Sequence, residues 1–247
     1  MEETITKKWE LIDAGLILRS DDENGYFDLI SNRIFIDPPI ISSIDSLAIQ
    51  HQKILTYFVN SFQSNGKSTP YSFVSAFSSN ESLEDIGNNE IIINSWLAND
   101  LDANEGDTLL IKYFVIGNLR RLEEKSEFFV VKQILPIESQ VFDRELMPDF
   151  PGLSDAGSCG EWDAGIPIDL KKIRDKDEDY WDDYKGSPKA IISMEKALEI
   201  WPNKFGSYTA IRFANSEVNH KELEEELLNK LKPSDLGFDL YNVRKQG

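Results

Sequence analysis

Apolar residues recur along this chain in runs and alternations that predict many short strands. Continuous or alternating apolar stretches bounded by Gly, Pro, Asn or Asp are typical of strands. Such stretches predict strands at residues 26–30, 33–36, 54–59, 71–77, 91–93, 108–116, 127–137, 190–192, 208–213 and 238–243. Apolar residues three and four apart predict helices at 44–52, 94–101, 193–201 and 219–232. The two kinds of element alternate irregularly, which is a mixed α and β pattern.

Residues with special backbone or capping chemistry separate these elements. Pro38 and Pro39 are expected to stop the second strand. The Ser-Asn-Gly sequence at 64–66 predicts a turn between two strands. Asn94 is a good helix N-cap, and Gly106 suits a left-handed turn after the same helix. Residues 91–137 therefore predict a strand-helix-strand-strand unit, with a charged connection at 117–126.

Residues 138–187 differ from the rest of the chain and are called the excursion below. Gly and Asp are frequent there, and Pro148, Pro151 and Pro167 interrupt it. We expect little regular structure, apart from a short helix near Leu170. Long ordered loops in compact domains tend to be functional. The polar residues 78–89 predict a second, shorter loop.

The predicted fold class is α+β, with two lobes of mixed sheet, packed helices and a long irregular insertion. The expected segments are a strand-rich lobe at 1–137, the excursion at 138–187 and a returning α/β lobe at 188–247. Strands from the two ends of the chain are expected to share a sheet. The lobes are then discontinuous in sequence.

Composition excludes several classes of protein. The chain has 26 Lys and Arg against 44 Asp and Glu, a formal net charge of −18. A nucleic-acid-binding surface, or docking on anionic lipid, needs clustered basic residues. A single cysteine, Cys159, excludes an internal disulfide framework and a cysteine zinc cluster. The sequence lacks a stretch of about 20 apolar residues and an N-terminal signal peptide. Taken alone, these features predict a soluble cytosolic protein.

The acidic run at 174–184 is the most unusual stretch of the sequence. Asp175, Asp177 and Asp179 have the spacing that opens an EF-hand calcium loop, but Tyr180 and Gly186 stand where that loop needs glycine and glutamate. A looser calcium site in an extracellular interaction module remains an alternative. The favoured interpretation is a solvated acidic loop, anchored to the core by Tyr180 and Trp181.

The sequence offers two kinds of candidate catalytic residue, neither of which forms a recognisable motif. A hydrolase using two of the many carboxylates is an open second alternative, because a sequence does not tell which acids face one substrate. Cys159 lies in a Gly-rich stretch with no histidine nearby in sequence, which favours a small loop residue over a nucleophile. His51 and His220 have no evident partners. The glycines form neither a dinucleotide fingerprint nor a P-loop, so no cofactor is predicted.

Several motifs resemble one family. The extracytoplasmic core domain of FtsX-like permeases is similar to the sequence Ile92-Ile93-Asn94-Ser95-Trp96-Leu97-Ala98-Asn99-Asp100-Leu101, followed by Glu105-Gly106-Asp107 and Phe129-Val130-Val131. These permeases are the membrane subunits of MacB/Lol-type ABC transporters. Their pattern is N-x-x-L-A-x-x-L, then G-D, then F-x-V-x-x-I. The stretches 69–72 and 162–181, the segment 188–193 and Arg212 resemble a branch with a long domain, so the resemblance covers about residues 10–247.

The resemblance implies a role without catalysis. It implies a domain on the extracytoplasmic, or periplasmic, side of the bacterial cytoplasmic membrane, flanked by transmembrane helices. The implied partners are a cytoplasmic ABC ATPase, the transmembrane region of the parent permease and a second permease protomer. The substrate is left open among lipoproteins, lipids and peptides. The residues expected to fix the excursion onto the body are Trp162, Arg174, Asp175, Asp177, Asp179, Tyr180 and Trp181.

Overall fold

Nine strands form one mixed sheet in a computed structural model that describes residues 9–21, 24–79, 85–117, 121–231 and 236. Pairing is antiparallel except between β4 and β8 and between β5 and β7. The strands are β1 (Leu16–Asp21), β2 (Tyr26–Ser31), β3 (Gln52–Ser64), β4 (Lys67–Phe77), β5 (Glu90–Asn94), β6 (Thr108–Ile116), β7 (Leu122–Leu135), β8 (Ala190–Ile192) and β9 (Ala210–Ala214).

Five α-helices accompany the sheet in the described residues, which confirms the α+β class. They are α1 (Pro38–Asp45), α2 (Ser95–Leu101), α3 (Asp175–Tyr184), α4 (Met194–Ile200) and α5 (His220–Lys230). Single 3₁₀ turns lie at Leu11–Ala14, Gln140–Phe142, Arg144–Leu146, Cys159–Glu161 and Leu170–Lys172. Across the described ranges, no helix combines the length and apolarity required to cross a bilayer.

Six of the strands close on themselves. The order along the sheet is β1-β2-β9-β3-β4-β8-β5-β7-β6, and β3 pairs additionally with β6. The long β3 makes this possible, because residues 52–54 pair with β9 while residues 61–63 pair with β6. A ring from β3 through β4, β8, β5, β7 and β6 results. The strands β1, β2 and β9 extend from it as a wing.

The ring and the wing have separate apolar cores. The ring encloses residues such as Val59, Phe62, Ile91, Ile111 and Phe129, and α2 and α4 add Leu97 and Ala197. The wing packs Phe27, Leu29 and Phe213 against α1 and α5 through Ile40, Ile44, Leu223 and Leu227. A third, aromatic cluster joins the excursion to β3 and β4. Burial of apolar area in these clusters is the main stabilising contribution to the fold.

Local sequence signals correctly predicted where several helices begin and where one tight turn lies. The Asn94 side chain accepts a hydrogen bond from the backbone N–H of Leu97 at 2.8 Å and caps α2. Ser193 and Asn219 cap α4 and α5 in the same way. Asn65 and Gly66 both have positive φ, 51° and 73°, as the tight turn between β3 and β4 requires.

Four local predictions were wrong. Residues 33–36 form a turn with Ile34 at φ 71°, and Pro38 and Pro39 begin α1 rather than ending a strand, since proline is well suited to a first helical turn. The helix expected at 44–52 ends at Asp45. Residues 122–126 extend β7 because they pair with β6. By contrast, Gly106, at φ 91°, adopts the left-handed turn predicted after α2, although the residue that caps the helix is Asp102, at φ 54°.

The two ends of the chain share the sheet. β9 pairs with β2 and β3, and β8 lies between β4 and β5. The division into segments 1–137, 138–187 and 188–247 stays a prediction. The strand predicted at 238–243, and parts of the connections predicted at 78–89 and 117–126, lie outside the described residues.

Candidate functional site

The acidic run predicted as a loop is the helix α3. The carboxylate of Asp177 accepts a hydrogen bond from the backbone N–H of Arg174 at 2.9 Å, which closes the first turn. Acidic residues in the first turn also favour the positive end of the helix dipole. The prediction of a solvated loop was wrong, because acidic residues at the start of a helix stabilise that helix.

The Arg174 guanidinium ties α3 to α2, although the two helices are far apart in sequence. It donates to Asp100 at 2.6 Å and to Asp177 at 2.7 Å, and Lys176 also contacts Asp100. Asp100 is 2% exposed and accepts a further hydrogen bond from Thr69 at 2.6 Å. Burial opposes ionisation of Asp100, but the hydrogen bonds from its three partners outweigh burial and hold its pKa below the usual range.

A buried lysine lies between the same two helices. The ammonium of Lys189 is 4.1 Å from the ring centroids of both Trp96, on α2, and Tyr180, on α3. The Tyr180 hydroxyl donates to the Ser187 carbonyl at 3.1 Å and accepts from Asn94 at 3.2 Å. Lys189 is 3% exposed, and burial lowers its pKa to about 8 against the opposing effect of nearby carboxylates. Its charge is held by two aromatic faces.

The remaining aromatic residues of the motif pack the excursion against the sheet. Trp162 and Trp181 meet edge to face at 5.1 Å, and Trp162 also contacts the rings of Phe58 and Tyr71. Cys159 is buried in the same cluster. The indole N–H groups of both tryptophans lack a hydrogen-bond partner in the described residues. Their contribution is therefore apolar area and ring packing.

The three aspartates with calcium-like spacing do not converge. Asp177 pairs with Arg174, whereas Asp175 and Asp179 are exposed on α3. Successive helical residues are rotated by about 100°, so Asp177 points away from the face that the other two share. Within the described ranges, no group of three or more His, Cys, Asp or Glu side chains is arranged to hold a metal ion. The three aspartates are therefore placed as residues on different sides of a helix.

A second ion pair lies within the wing, and a neighbouring carboxylate links it to the excursion. Arg212 on β9 makes two hydrogen bonds of 2.8 Å to Asp28, its direct neighbour on β2. The guanidinium lies 3.5 Å from the ring centroid of Tyr26. Asp143, from the excursion, accepts from the Tyr26 hydroxyl and lies 3.7 Å from Arg212. The residue that the resemblance singled out on the returning segment is thus an internal cross-link.

Two neighbouring depressions lie between the excursion and the sheet. The polar cleft has a volume of about 640 Å³ and includes Lys112, Glu124, Asp169 and Lys172 in its lining. The apolar groove has a volume of about 260 Å³, and its lining includes Phe35, Ile116, Leu122, Pro148, Ile166 and Phe205. Asn60 and Phe114 line both. The excursion supplies the outer wall of both depressions.

Comparison with known proteins finds similarity at the level of structure. No family model matches the chain, and no curated protein matches it in sequence. The chain is similar to the periplasmic region of MacB from Actinobacillus actinomycetemcomitans, with 11% identity, a TM-score of 0.46, and coverage of 86% of this chain and 85% of that one. It is also similar to a domain assigned to a permease protein from Porphyromonas gingivalis, with 12% identity, a TM-score of 0.38, and coverage of 85% and 73%.

The first is the periplasmic region of a MacB protein, and the second is a domain of a permease.

Sequence reasoning missed three parts of this site. Asp100 lies inside the motif at 94–101 but was not singled out, because nothing local indicates a buried carboxylate. Lys189 precedes the apolar run 190–192, and a lysine next to a buried strand is a weak signal of burial. The residues of the cleft and groove come from distant segments, and the sequence contains no local signal of their convergence.

The Cys159 thiol is expected to be unreactive in the native protein. It is 1% exposed, and burial together with the nearby Glu178 carboxylate raises its pKa, so little thiolate is present at neutral pH. We expect a thiol-reactive dye to label native protein at least about a hundredfold more slowly than urea-unfolded protein, because labelling requires opening of the aromatic cluster. Rapid labelling of native protein would contradict this burial and reopen the nucleophile alternative.

Proposed function

We propose that this chain is a non-catalytic extracytoplasmic domain of an ABC transporter permease. In this role it transmits ATP-driven motion of the transmembrane helices to a substrate that is exported or extracted, of the lipoprotein, lipid or peptide class. Its partners are a cytoplasmic ABC ATPase, the transmembrane region of the parent permease and a second protomer. The domain lies on the outer side of the bacterial cytoplasmic membrane.

The observation that carries the proposal is the joining of the two stretches that resemble this family. The first stretch forms β5, α2, β6 and β7, and the second ends in α3. Arg174 from the second binds Asp100 from the first, 74 residues away, and Tyr180 packs on Trp96. Contact between the two matching stretches is what a shared domain architecture predicts.

The described architecture suits transmission of motion. A ring of six hydrogen-bonded strands resists internal deformation, and the excursion is attached to it through ion pairs and a buried aromatic cluster. Packed interiors have low compressibility and transmit strain. A displacement applied to the sheet would therefore move the excursion, with the groove that it borders, as one body.

The carboxylates whose pKa is shifted act as acceptors rather than as proton donors. A glycoside hydrolase needs a carboxyl group whose pKa is raised, so that it can donate a proton near neutral pH. In the part of the chain that the structure describes, each Asp or Glu with a shifted pKa has it shifted downwards, namely Asp21, Asp45, Glu90, Asp100 and Asp107. Such groups remain ionised and serve as acceptors.

Labelling from outside the cell tests the location. Asp179→Cys adds a thiol on the exposed face of α3, while Cys159 remains buried. In spheroplasts of cells that express the complete gene product, we expect a membrane-impermeant maleimide to label the Asp179→Cys protein more strongly than the unmodified protein. Detergent extraction of the same membranes is expected to copurify an ATP-hydrolysing subunit.

The opposite pattern would refute the proposal. Labelling of the Asp179→Cys protein only after the cells are lysed would place the domain in the cytoplasm. Recovery of the protein free of membranes and without an associated ATPase would remove the transporter role. The unmodified gene product is the control: the one thiol of this chain, Cys159, is buried, so the labelling assigned to residue 179 is the excess over that control.

A further inference from the structure

The strand β1 is an edge of the sheet, and its outer side has no partner strand in the described parts of the chain. It pairs with β2 alone, whereas every other described strand has at least two neighbours. The pairing keeps a regular register over all six residues, and β1 contains neither proline nor lysine. Proline, bulges and outward lysines commonly protect sheet edges against pairing with other chains. The strand β1 is therefore able to accept a further strand.

The backbone groups of three residues point outward from this edge. The Asn32 N–H donates to the Gly15 carbonyl at 2.9 Å, and the two residues stand directly opposite each other in the register of β1 and β2. Hydrogen-bonded and non-hydrogen-bonded pairs alternate along an antiparallel ladder, so every second residue of β1 bonds to β2. The N–H and C=O groups of Leu16, Leu18 and Ser20 consequently face away from the sheet. In the described ranges they have no backbone partner.

A shallow depression beside β1 is called the edge groove below. It has a volume of about 310 Å³, and its lining includes Leu16 and Leu18 of β1, Ile12 of the preceding 3₁₀ turn and Glu224 of α5. None of the described residues of β2 lines it, which places it on the open side of β1. Ile12 is 55% exposed and gives the groove an apolar wall. A strand added about 4.8 Å from β1 would lie along this groove.

The charge of the edge groove is negative. Glu10 and Glu224 line it, and neither forms a salt bridge with a described basic residue. Its lining contains no Lys or Arg among the described residues. Two described basic residues adjoin it in sequence, Arg19 and Lys221, and each pairs with a glutamate outside the groove. A cationic segment would complement this lining, whereas a second copy of a chain with net charge −18 would be repelled.

The two sides of the edge differ in chemistry. Leu18 packs in the wing core with Leu223 of α5, and Glu224 belongs to the same helix turn. Ile17 points to the opposite face, where it packs with the cluster that contains Leu146 of the excursion. Successive residues of an added strand alternate between these two sides. Basic residues on the α5 side would approach Glu224, and apolar residues on the other side would lie beside Ile17.

We infer that β1 is a docking edge for an extended segment of a partner protein in which basic and apolar residues alternate. The segment joins the sheet as a further strand, with its backbone bonded to Leu16, Leu18 and Ser20 and its basic side chains near Glu10 and Glu224. In this mode of recognition, backbone pairing supplies affinity and the alternate side chains supply specificity. The inference concerns a protein partner and does not rest on the proposed function.

Titration with a short peptide of alternating lysine and valine, acetylated and amidated at its ends, tests the inference. We expect saturable binding of one peptide per chain, with slower hydrogen exchange of the Leu16, Leu18 and Ser20 amides in the complex. A glutamate-valine peptide of the same length reverses the charge and is expected to bind at least about tenfold more weakly. Methylation of alternate backbone nitrogens in the lysine-valine peptide removes the ladder donors and is expected to weaken binding by about the same factor.

Substitutions in the protein separate backbone pairing from charge. Ser20→Pro and Ser20→Ala both remove the side-chain contact with His220, but only the first removes the outward N–H. We therefore expect Ser20→Pro to bind the peptide about tenfold more weakly than Ser20→Ala. Glu224→Gln is expected to weaken binding about threefold. Its matched control is Glu225→Gln, because Glu225 pairs with Lys221 and does not line the groove, and we expect this variant to bind as the unmodified protein does.

Urea unfolding of each variant verifies that it is folded, and several results would overturn the inference. Absence of saturable binding, or binding that survives both backbone methylation and Ser20→Pro, would exclude pairing at the edge. Slow exchange of the Leu16, Leu18 and Ser20 amides in the isolated chain would mean that the chain itself covers the edge. Dimerisation that protects the same amides would identify a second copy as the occupant. None of these results would affect the labelling experiment on cellular location.

Discussion

Arg212→Met is expected to lower the free energy of unfolding by about 3–5 kcal/mol, the largest single effect that we expect in this protein. The substitution keeps much of the side-chain volume but removes the guanidinium that makes both hydrogen bonds to Asp28. Asp28 is 2% exposed, so its carboxylate cannot be rehydrated without opening the sheet. Urea unfolding at neutral pH measures the loss.

Two further variants separate this explanation from loss of packing. Arg33→Met removes the half-exposed partner of Asp37 in a surface pair and is expected to cost about 1 kcal/mol or less. Asp28→Leu combined with Arg212→Met replaces the whole pair by apolar side chains and is expected to recover most of the stability. If Arg212→Met and Arg33→Met had similar small effects, the buried pair would not be a main stabilising contact.

The ion pair between Arg212 and Asp28 is also linked to the start of the excursion. Asp143 lies beside Arg212 and accepts from Tyr26, so the start of the excursion is attached to the wing. Its end is attached to the ring through Arg174 and Asp100. Attachment at both ends explains how a segment with so little regular structure becomes the wall of a groove. The sheet and the excursion have to be intact together for the groove to exist.

Short-range chemistry made much of the fold predictable. Asn94, Ser193 and Asn219 each satisfy backbone donors only a few residues away, so their role can be inferred from adjacent residues. The strands β5 and β8 carry continuous apolar runs because both of their faces are buried. Where the stabilising contact is distant, prediction failed. Residues 122–126 are exposed, three of the five are charged, and they form a strand because they pair with β6.

The site was harder to predict for the same reason. The motif residues Trp162, Arg174, Tyr180 and Trp181 were identified by resemblance, and the structure brings them into contact with β3, β4 and α2. Asp175 and Asp179 lie on the exposed side of α3 and make none of those contacts. Asp100 and Lys189 become significant only when α2 and α3 meet, since a buried charge is defined by its surroundings.

Lys189→Met is expected to stabilise the protein at neutral pH, by roughly 1–3 kcal/mol. The pKa of Lys189 is lowered from 10.5 to about 8, so the folded protein pays a penalty for the charged form. At about 1.4 kcal/mol per unit this penalty is roughly 3 kcal/mol, from which the loss of attraction to the Trp96 and Tyr180 rings subtracts about 2 kcal/mol or less. Methionine fills the same space without a charge.

The pH dependence gives the sharper measurement. Between pH 8 and 10.5 the unfolded chain holds a proton on Lys189 that the folded protein has released, so this residue makes stability rise with pH. Lys189→Met lacks that contribution. We therefore expect the stability difference between variant and unmodified protein to be largest near pH 7 and to shrink towards pH 10.5. Groups common to both proteins cancel in the difference.

Lys196→Met is the matched control, and its expected effect has the opposite sign. Lys196 is also buried, but it pairs with Glu127 at 3.3 Å and Glu199 at 3.2 Å, and these contacts outweigh burial and raise its pKa. Its stabilising contribution is present below pH 10.5 and is lost as the pH rises through the raised value. Removing it should therefore destabilise the protein at neutral pH, by about 1 kcal/mol or less.

A difference for Lys189→Met that stays constant from pH 7 to 10.5 would mean that the aromatic cage and the nearby carboxylates fully compensate for burial. Lys189 would then act as a stabilising cross-link between α2 and α3. A gain at neutral pH that fades on alkalinisation would instead mean that the protein keeps a destabilising charge at the junction of its two family-like stretches. Because stability alone would favour an apolar residue there, that result would point to a role for the charge in positioning α2 against α3.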